Sequence, residues 1–161
     1  MEDLSINYLR GIFSCDADRG VLRWKIGAGR VLAGAVAGCE SVDGYIVVRH
    51  GGRQYRAHRV IWAMHYGSWP ERDLDHVNCN KSDNRIVNLR PCDDTRNQWN
   101  IPARTGSSSY KGVGRHKGKW RARIRVGDGR RIELGAFATE EEAAEAYRSA
   151  AVVYHGEFAR F

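Results

Sequence analysis

The chain has 161 residues, enough for one generous domain or two small ones, and its 42% hydrophobic content can bury a core, which excludes wholesale disorder. No stretch approaches the roughly 20 apolar residues of a membrane span, and the opening residues, with Glu2 and Asp3, lack the apolar run of a secretory signal, so a soluble cytoplasmic protein without a membrane partner is expected. The net charge of +7 is concentrated: between Arg104 and Glu133 ten basic side chains stand against two acidic ones, the pattern of a polyanion-binding surface or, more plainly, of a solvated face.

In chain order, Ile6, Leu9 and Phe13 recur on one face and predict a helix over 4–13. Asp16–Gly20 reads as a turn into a strand over 21–26, and the Gly- and Ala-rich stretch 27–44 carries no clear signal. Strands over 45–49 and 54–57 flank His50-Gly51-Gly52-Arg53, whose glycines supply a hairpin turn. A short helix from His58 should end at Gly67, before Pro70. A short strand over 74–77 precedes a polar loop, and a helix is expected to begin near Asp93-Asp94 and to present Asn97.

Residues 101–109, IPARTGSSS, read as a linker. Beyond it come three strands, over 110–113, 120–126 and 131–137, with Asp128-Gly129 as the tight turn between the last two. The final helix, over 139–154, has a capping box in Thr139 and Glu142, acids in its first turn and Gly156 past its end. Along the middle strand the alternation puts Arg121, Arg123 and Arg125 on one face and Ala122, Ile124 and Val126 on the other. Three arginines on one face repel unless a partner takes them, which points to nucleic acid, with Lys111, Arg115, Lys117 and Arg131 widening the patch.

Cys15, Cys39, Cys79 and Cys92 form no Cys-x-x-Cys pair, so free thiols are expected, although Cys79 and Cys92 flank the chemically richest segment. That segment, 73–100, offers the carboxylate of Asp75 and the amide oxygen of Asn97 to a hard divalent cation, with His76 beside them as a general base. The same residues also suit a duller reading, in which His76 is a strand histidine satisfied by a carbonyl and Asn97 a helix-surface residue. His58 and Arg59 can contact phosphate, or His58 can simply bond within the domain.

Two resemblances bear on these alternatives. Tyr110-Lys-Gly-Val113, Gly118-Lys-Trp120, Leu134-Gly135, Phe137, Glu142-Ala-Ala144, Ala146-Tyr147 and Gly156 resemble the plant ethylene-response-factor (apetala-type) DNA-binding domain. That family reads the major groove with a three-stranded sheet; Glu133 and Gly114 depart from its pattern and leave the target sequence open. His76, Asn88 and Asn97, with Ala57-His-Arg-Val-Ile-Trp62, Asn80-Lys81 and Asp83-Asn84, resemble phage-type HNH and homing endonucleases with asparagine in the last motif position.

The second resemblance implies a ββα-metal fold in which Asp75 and Asn97 bind Mg²⁺ or Mn²⁺. It makes His76 the activator of water, Asn88 the support of the metal loop, and 5′-phosphate and 3′-hydroxyl ends the products. His58, Arg59 and Arg90 would meet the DNA. The expected architecture is α+β: an HNH nuclease domain over 1–100 (motif core 57–100) with a small β-rich N-terminal part, the linker 101–109, and a three-stranded antiparallel sheet packed on one helix over 110–161. The expected partner is double-stranded DNA, bound by a monomer or homodimer in a bacterial or phage-infected cell. The rival readings are a DNA-binding regulator with an inactive nuclease centre and a nuclease of RNA or of any duplex.

Overall fold

The computed structural model describes residues 4–27, 30–93, 99–100 and 107–161. It is a mixed α+β chain of small antiparallel sheets that divides into two compact units, Met1–Pro91 and Cys92–Phe161. The helix expected to present Asn97 and most of the expected linker lie outside the described residues.

In the first unit, α1 (Ile6–Ile12) starts where the Ser5 hydroxyl accepts from the Tyr8 amide at 3.2 Å. The helix stops a residue earlier than its apolar spacing predicts. Phe13 turns extended and opens β1 (Phe13–Asp16), paired antiparallel with β2 (Val21–Trp24) so that Phe13 meets Trp24, ring centroids 4.7 Å apart. One side chain therefore satisfies both the helical face and the hairpin, and periodicity alone cannot place the break. The turn at Gly20 has φ 68, and a Cβ there would lie 2.4 Å from the backbone of Asn84 and Arg85, so only glycine lets this hairpin press so closely on that loop. The Ile86 amide donates to the Ala17 carbonyl at 2.9 Å in the same contact.

A three-stranded sheet follows, in the order β3 (Cys39–Glu40), β4 (Ile46–His50), β5 (Arg53–Arg56), and runs directly into α2 (Ala57–Tyr66). Leu9, Phe13, Leu22, Val48, Val60 and Ile61 close the core between these elements. Beyond α2, β6 (Asp73–His76) and β7 (Leu89–Cys92) form a two-stranded sheet, with a 3-10 turn at Ile86–Asn88 between them.

The second unit holds β8 (Val113–His116), β9 (Lys119–Arg125) and β10 (Arg131–Phe137) in the order β10-β9-β8, with α3 (Glu140–His155) packed on them. β8 begins later than expected because Tyr110–Gly112 form a turn: Gly112 has φ 73, and a Cβ would lie 2.2 Å from the Tyr147 ring. Ile124, Val126, Tyr147 and Ala151 form the core. The capping box is complete, with Thr139 Oγ1 accepting from the Glu142 amide and Glu142 Oε2 accepting from the Thr139 amide, both at 3.2 Å. Ser107 and Ser108, expected in the linker, belong to this unit: Ser108 is buried and donates to Glu140 Oε1 at 2.6 Å, and Ser107 Oγ accepts from the Arg115 amide.

Candidate active site and nucleic-acid interface

The polar loop between β6 and β7 is organised by short side chains that replace the missing ladder bonds. Asn88, buried, accepts from the Asn78 amide at 3.0 Å and donates to Asn78 Oδ1 and to the Asp83 carbonyl. Asp83 takes two bonds from Arg85 and one from Asn78, and the Arg85 guanidinium above all pulls its carboxyl down to about 2. The loop is thus rigid in its backbone, and its inner residue, Asn84, points its Oδ1 at His76 Nε2, 3.1 Å away.

Both partners of that bond are buried, Asn84 to 2% and His76 to 4% exposure. Because an amide oxygen only accepts, Nε2 must carry the proton, which leaves the lone pair of neutral His76 on Nδ1. Burial pushes the His76 pKa below its usual value, against the pull of Asn84 and Asp75. The His58 ring meets His76 edge-on with centroids 5.0 Å apart, and Tyr45 lies 5.4 Å from His58 and 5.9 Å from His76. His58 is buried, its Nδ1 has no hydrogen-bond partner among the described residues, and desolvation followed by the charges of His76, Arg56 and Arg59 pushes its pKa down to about 3. It is held neutral within a wall of rings, beneath the surface where phosphate would meet it.

Asp75 precedes His76 on β6 and points to the opposite side, where Arg90 of β7 donates to its Oδ2 from Nε at 3.0 Å and from Nη2 at 2.8 Å. Arg90 is only 12% exposed, which puts it on the carboxylate rather than on an open DNA path. A carboxylate and an amide oxygen suit a hard cation in kind. In charge they fall short, since Arg90 already neutralises Asp75, and a dication would have to draw its remaining oxygens from phosphate and water. No group of three or more His, Cys, Asp or Glu able to hold a metal occurs among the described residues, and Asn97 lies outside them.

The other nominated residues separate into two kinds. Arg59 is tied internally, to the Pro70 carbonyl at 3.2 Å, the Arg72 carbonyl at 3.3 Å and Asp73 at 3.8 Å. Lys111 donates to the Trp99 carbonyl. Arg121, Arg123 and Arg125 alternate with buried Ala122 and Ile124 on β9, and Arg125 pairs across the sheet with Arg131. Glu133 sits among them, 3.8 Å from Arg121 and 3.9 Å from Arg123. Arg115 lies over the Trp120 ring at 5.0 Å, and Lys117 occupies the β8–β9 turn with φ 48.

Sequence reasoning gave Tyr45 and Asn84 no role of their own. A lone tyrosine at the start of a strand carries no signal, whereas Asn84 had one in its place within the loop motif. These geometries agree with two comparisons. Residues 55–98 match the HNH endonuclease family model. A 54-residue segment is 56% identical to the AP2-like ethylene-responsive transcription factors AIL7 and AIL6 of Arabidopsis thaliana, covering 32% of this chain and 11% and 9% of those proteins. Rice CRL5 is 52% identical over the same length, with 8% of it covered. The chain therefore spans about a tenth of the curated relatives it matches. The HNH match suggests a DNA endonuclease, and the AP2-like similarity suggests DNA binding.

Proposed function

We propose that the chain is an HNH-type DNA endonuclease with a ββα-metal centre, which hydrolyses phosphodiester bonds to 5′-phosphate and 3′-hydroxyl ends. The observation that carries this reading is the buried Asn84–His76 bond inside the HNH-matching segment, which presents a neutral imidazole lone pair on a fixed ring. His76 Nδ1 takes the proton of the attacking water; Asn84 keeps the tautomer; Arg90 orients Asp75; Asn88 holds the loop. A divalent cation, Mg²⁺ or Mn²⁺, held by Asp75 and Asn97, would supply charge stabilisation on the phosphate and on the leaving 3′ oxygen. We assign residues 1–100 to the nuclease, 101–109 to the linker and 110–161 to a DNA-binding unit whose Arg121, Arg123, Arg125 and Arg131 enter the major groove of double-stranded DNA.

The test is supercoiled plasmid incubated with Mg²⁺ beside an EDTA control and His76→Ala. Open circles from the parent alone support the reading. A second reading, a DNA-binding regulator with an inactive centre, is favoured by the ion pair that occupies Asp75 and by the transcription-factor relatives. Tight binding with no cutting in Mg²⁺ or Mn²⁺, on plasmid and on phage genomic DNA alike, would select it.

A further inference from the structure

The register of the β3–β5 sheet sorts its side chains into two sets. Ile46, Val48 and Tyr55 pack on the core, so residues opposite one another on the alternate positions face outward: Arg49 with Gln54, and Val47 with Cys39 and Arg56. Arg49, Gln54, Arg56 and Cys39 are exposed, and Val47, though buried, lies outside the core cluster. From this face the cationic line continues towards the histidines. The Arg56 guanidinium sits over the Tyr45 ring at 4.1 Å and Lys81 Nζ at 4.7 Å, and the same ring borders His58 and His76. The acid on this line is Asp43, 3.6 Å from Arg56, with its carbonyl accepting from Lys81.

We infer that the outward face of the β3–β5 sheet, through Arg49, Gln54 and Arg56, is a second duplex-DNA-binding surface that grips the backbone beside the bond served by His76. The inference deepens the endonuclease reading, on which its choice of duplex DNA rests. Two guanidinium forks and an amide on a pleated face match phosphate oxygens spaced along a backbone. The Tyr45 ring, with its two cations, is the step between that grip and the catalytic imidazole. Binding energy from this face is made within the first unit and does not depend on the arginines of β9.

The experiment measures the salt dependence of binding to a labelled duplex of mixed sequence, in EDTA so that no cutting intervenes. It compares the full chain with Arg49→Gln/Arg56→Gln and with Arg49→Lys/Arg56→Lys. Each lost phosphate contact lowers the slope of log K against log salt by about 0.9, so the glutamine pair should lower it by about 2 and the lysine pair should keep it. Since Arg56 also packs on Tyr45, Arg49→Gln alone is measured as well and should lower the slope by about 1. An unchanged slope in a chain with parental thermal melting overturns the inference. So does a loss seen with duplex RNA and absent with DNA. A lowered slope in a chain that never nicks plasmid keeps the surface and removes the endonuclease reading; nicking with an unchanged slope does the reverse.

Discussion

At Asn84 a single amide oxygen decides which nitrogen of His76 can act as a base. Asn84→Ala should lower kcat about 10–100-fold with little change in DNA affinity. ¹⁵N NMR of the imidazole should show the Nε2-protonated tautomer in the parent, its loss in Asn84→Ala, and its retention in Asn84→Asp, which keeps an accepting oxygen. A parental tautomer in Asn84→Ala would show that something else holds the ring. His58 makes a different prediction. Its pKa in the fold, about 3, lies below the usual 6.5, so between those values the unfolded chain binds a proton that the folded chain refuses. Stability contributed by keeping His58 neutral is complete above pH 6.5 and falls as the pH drops towards 3, by up to about 1.4 kcal/mol per pH unit. Urea unfolding of His58→Gln across that range should show a slope shallower by one proton, whatever the variant's absolute stability.

Elements differ in how openly they announce themselves. α3 is written out in advance by Thr139, Glu142 and the acids between them, because capping is a local matter of side chain and backbone. The arginine alternation on β9 is equally local. β1 is not, since Phe13–Asp16 has no run of β-branched residues and becomes a strand only because β2 is there to pair with it. β3, two residues long inside a glycine-rich stretch, is likewise made by its neighbour β4. In the site, Asp75, His76 and Asn88 could be nominated from spacing. The Arg90–Asp75 pair and the ring wall of Tyr45 and His58 could not, because strand pairing and helix packing bring them together across the chain. The first hairpin belongs to the same class of hidden support. Gly20→Ala puts a Cβ against the backbone of Asn84 and Arg85 and forces alanine to a positive φ, which should cost roughly 1–3 kcal/mol. Urea unfolding should find that loss, and nicking should fall with it as Asn84 shifts. Parental stability would show that the loop gives way freely.

For the whole molecule the charge asymmetry becomes a matter of surfaces. Neutralising Arg121, Arg123 and Arg125 to glutamine should lower the salt slope of duplex binding by about 2–3, since those side chains flank one another on the exposed face of β9. Glu133, within 4 Å of two of them, tempers the face, and Glu133→Gln should raise the slope or leave it unchanged. A lowered slope in that variant would mean that Glu133 orders the arginines more than it opposes them.

The bond between Ala17 and Ile86 has a temporal meaning as well as a spatial one. Chains are made from the N-terminus, so the first hairpin exists long before the loop that leans on it, and the imidazole gains its rigid backing only when the two ends of the first unit close. Loop closure of this length is among the later events of folding. A nascent or clipped chain can therefore hold every residue from 55 to 98 and still lack the wall behind Asn84. The chemistry is armed by completion of the fold.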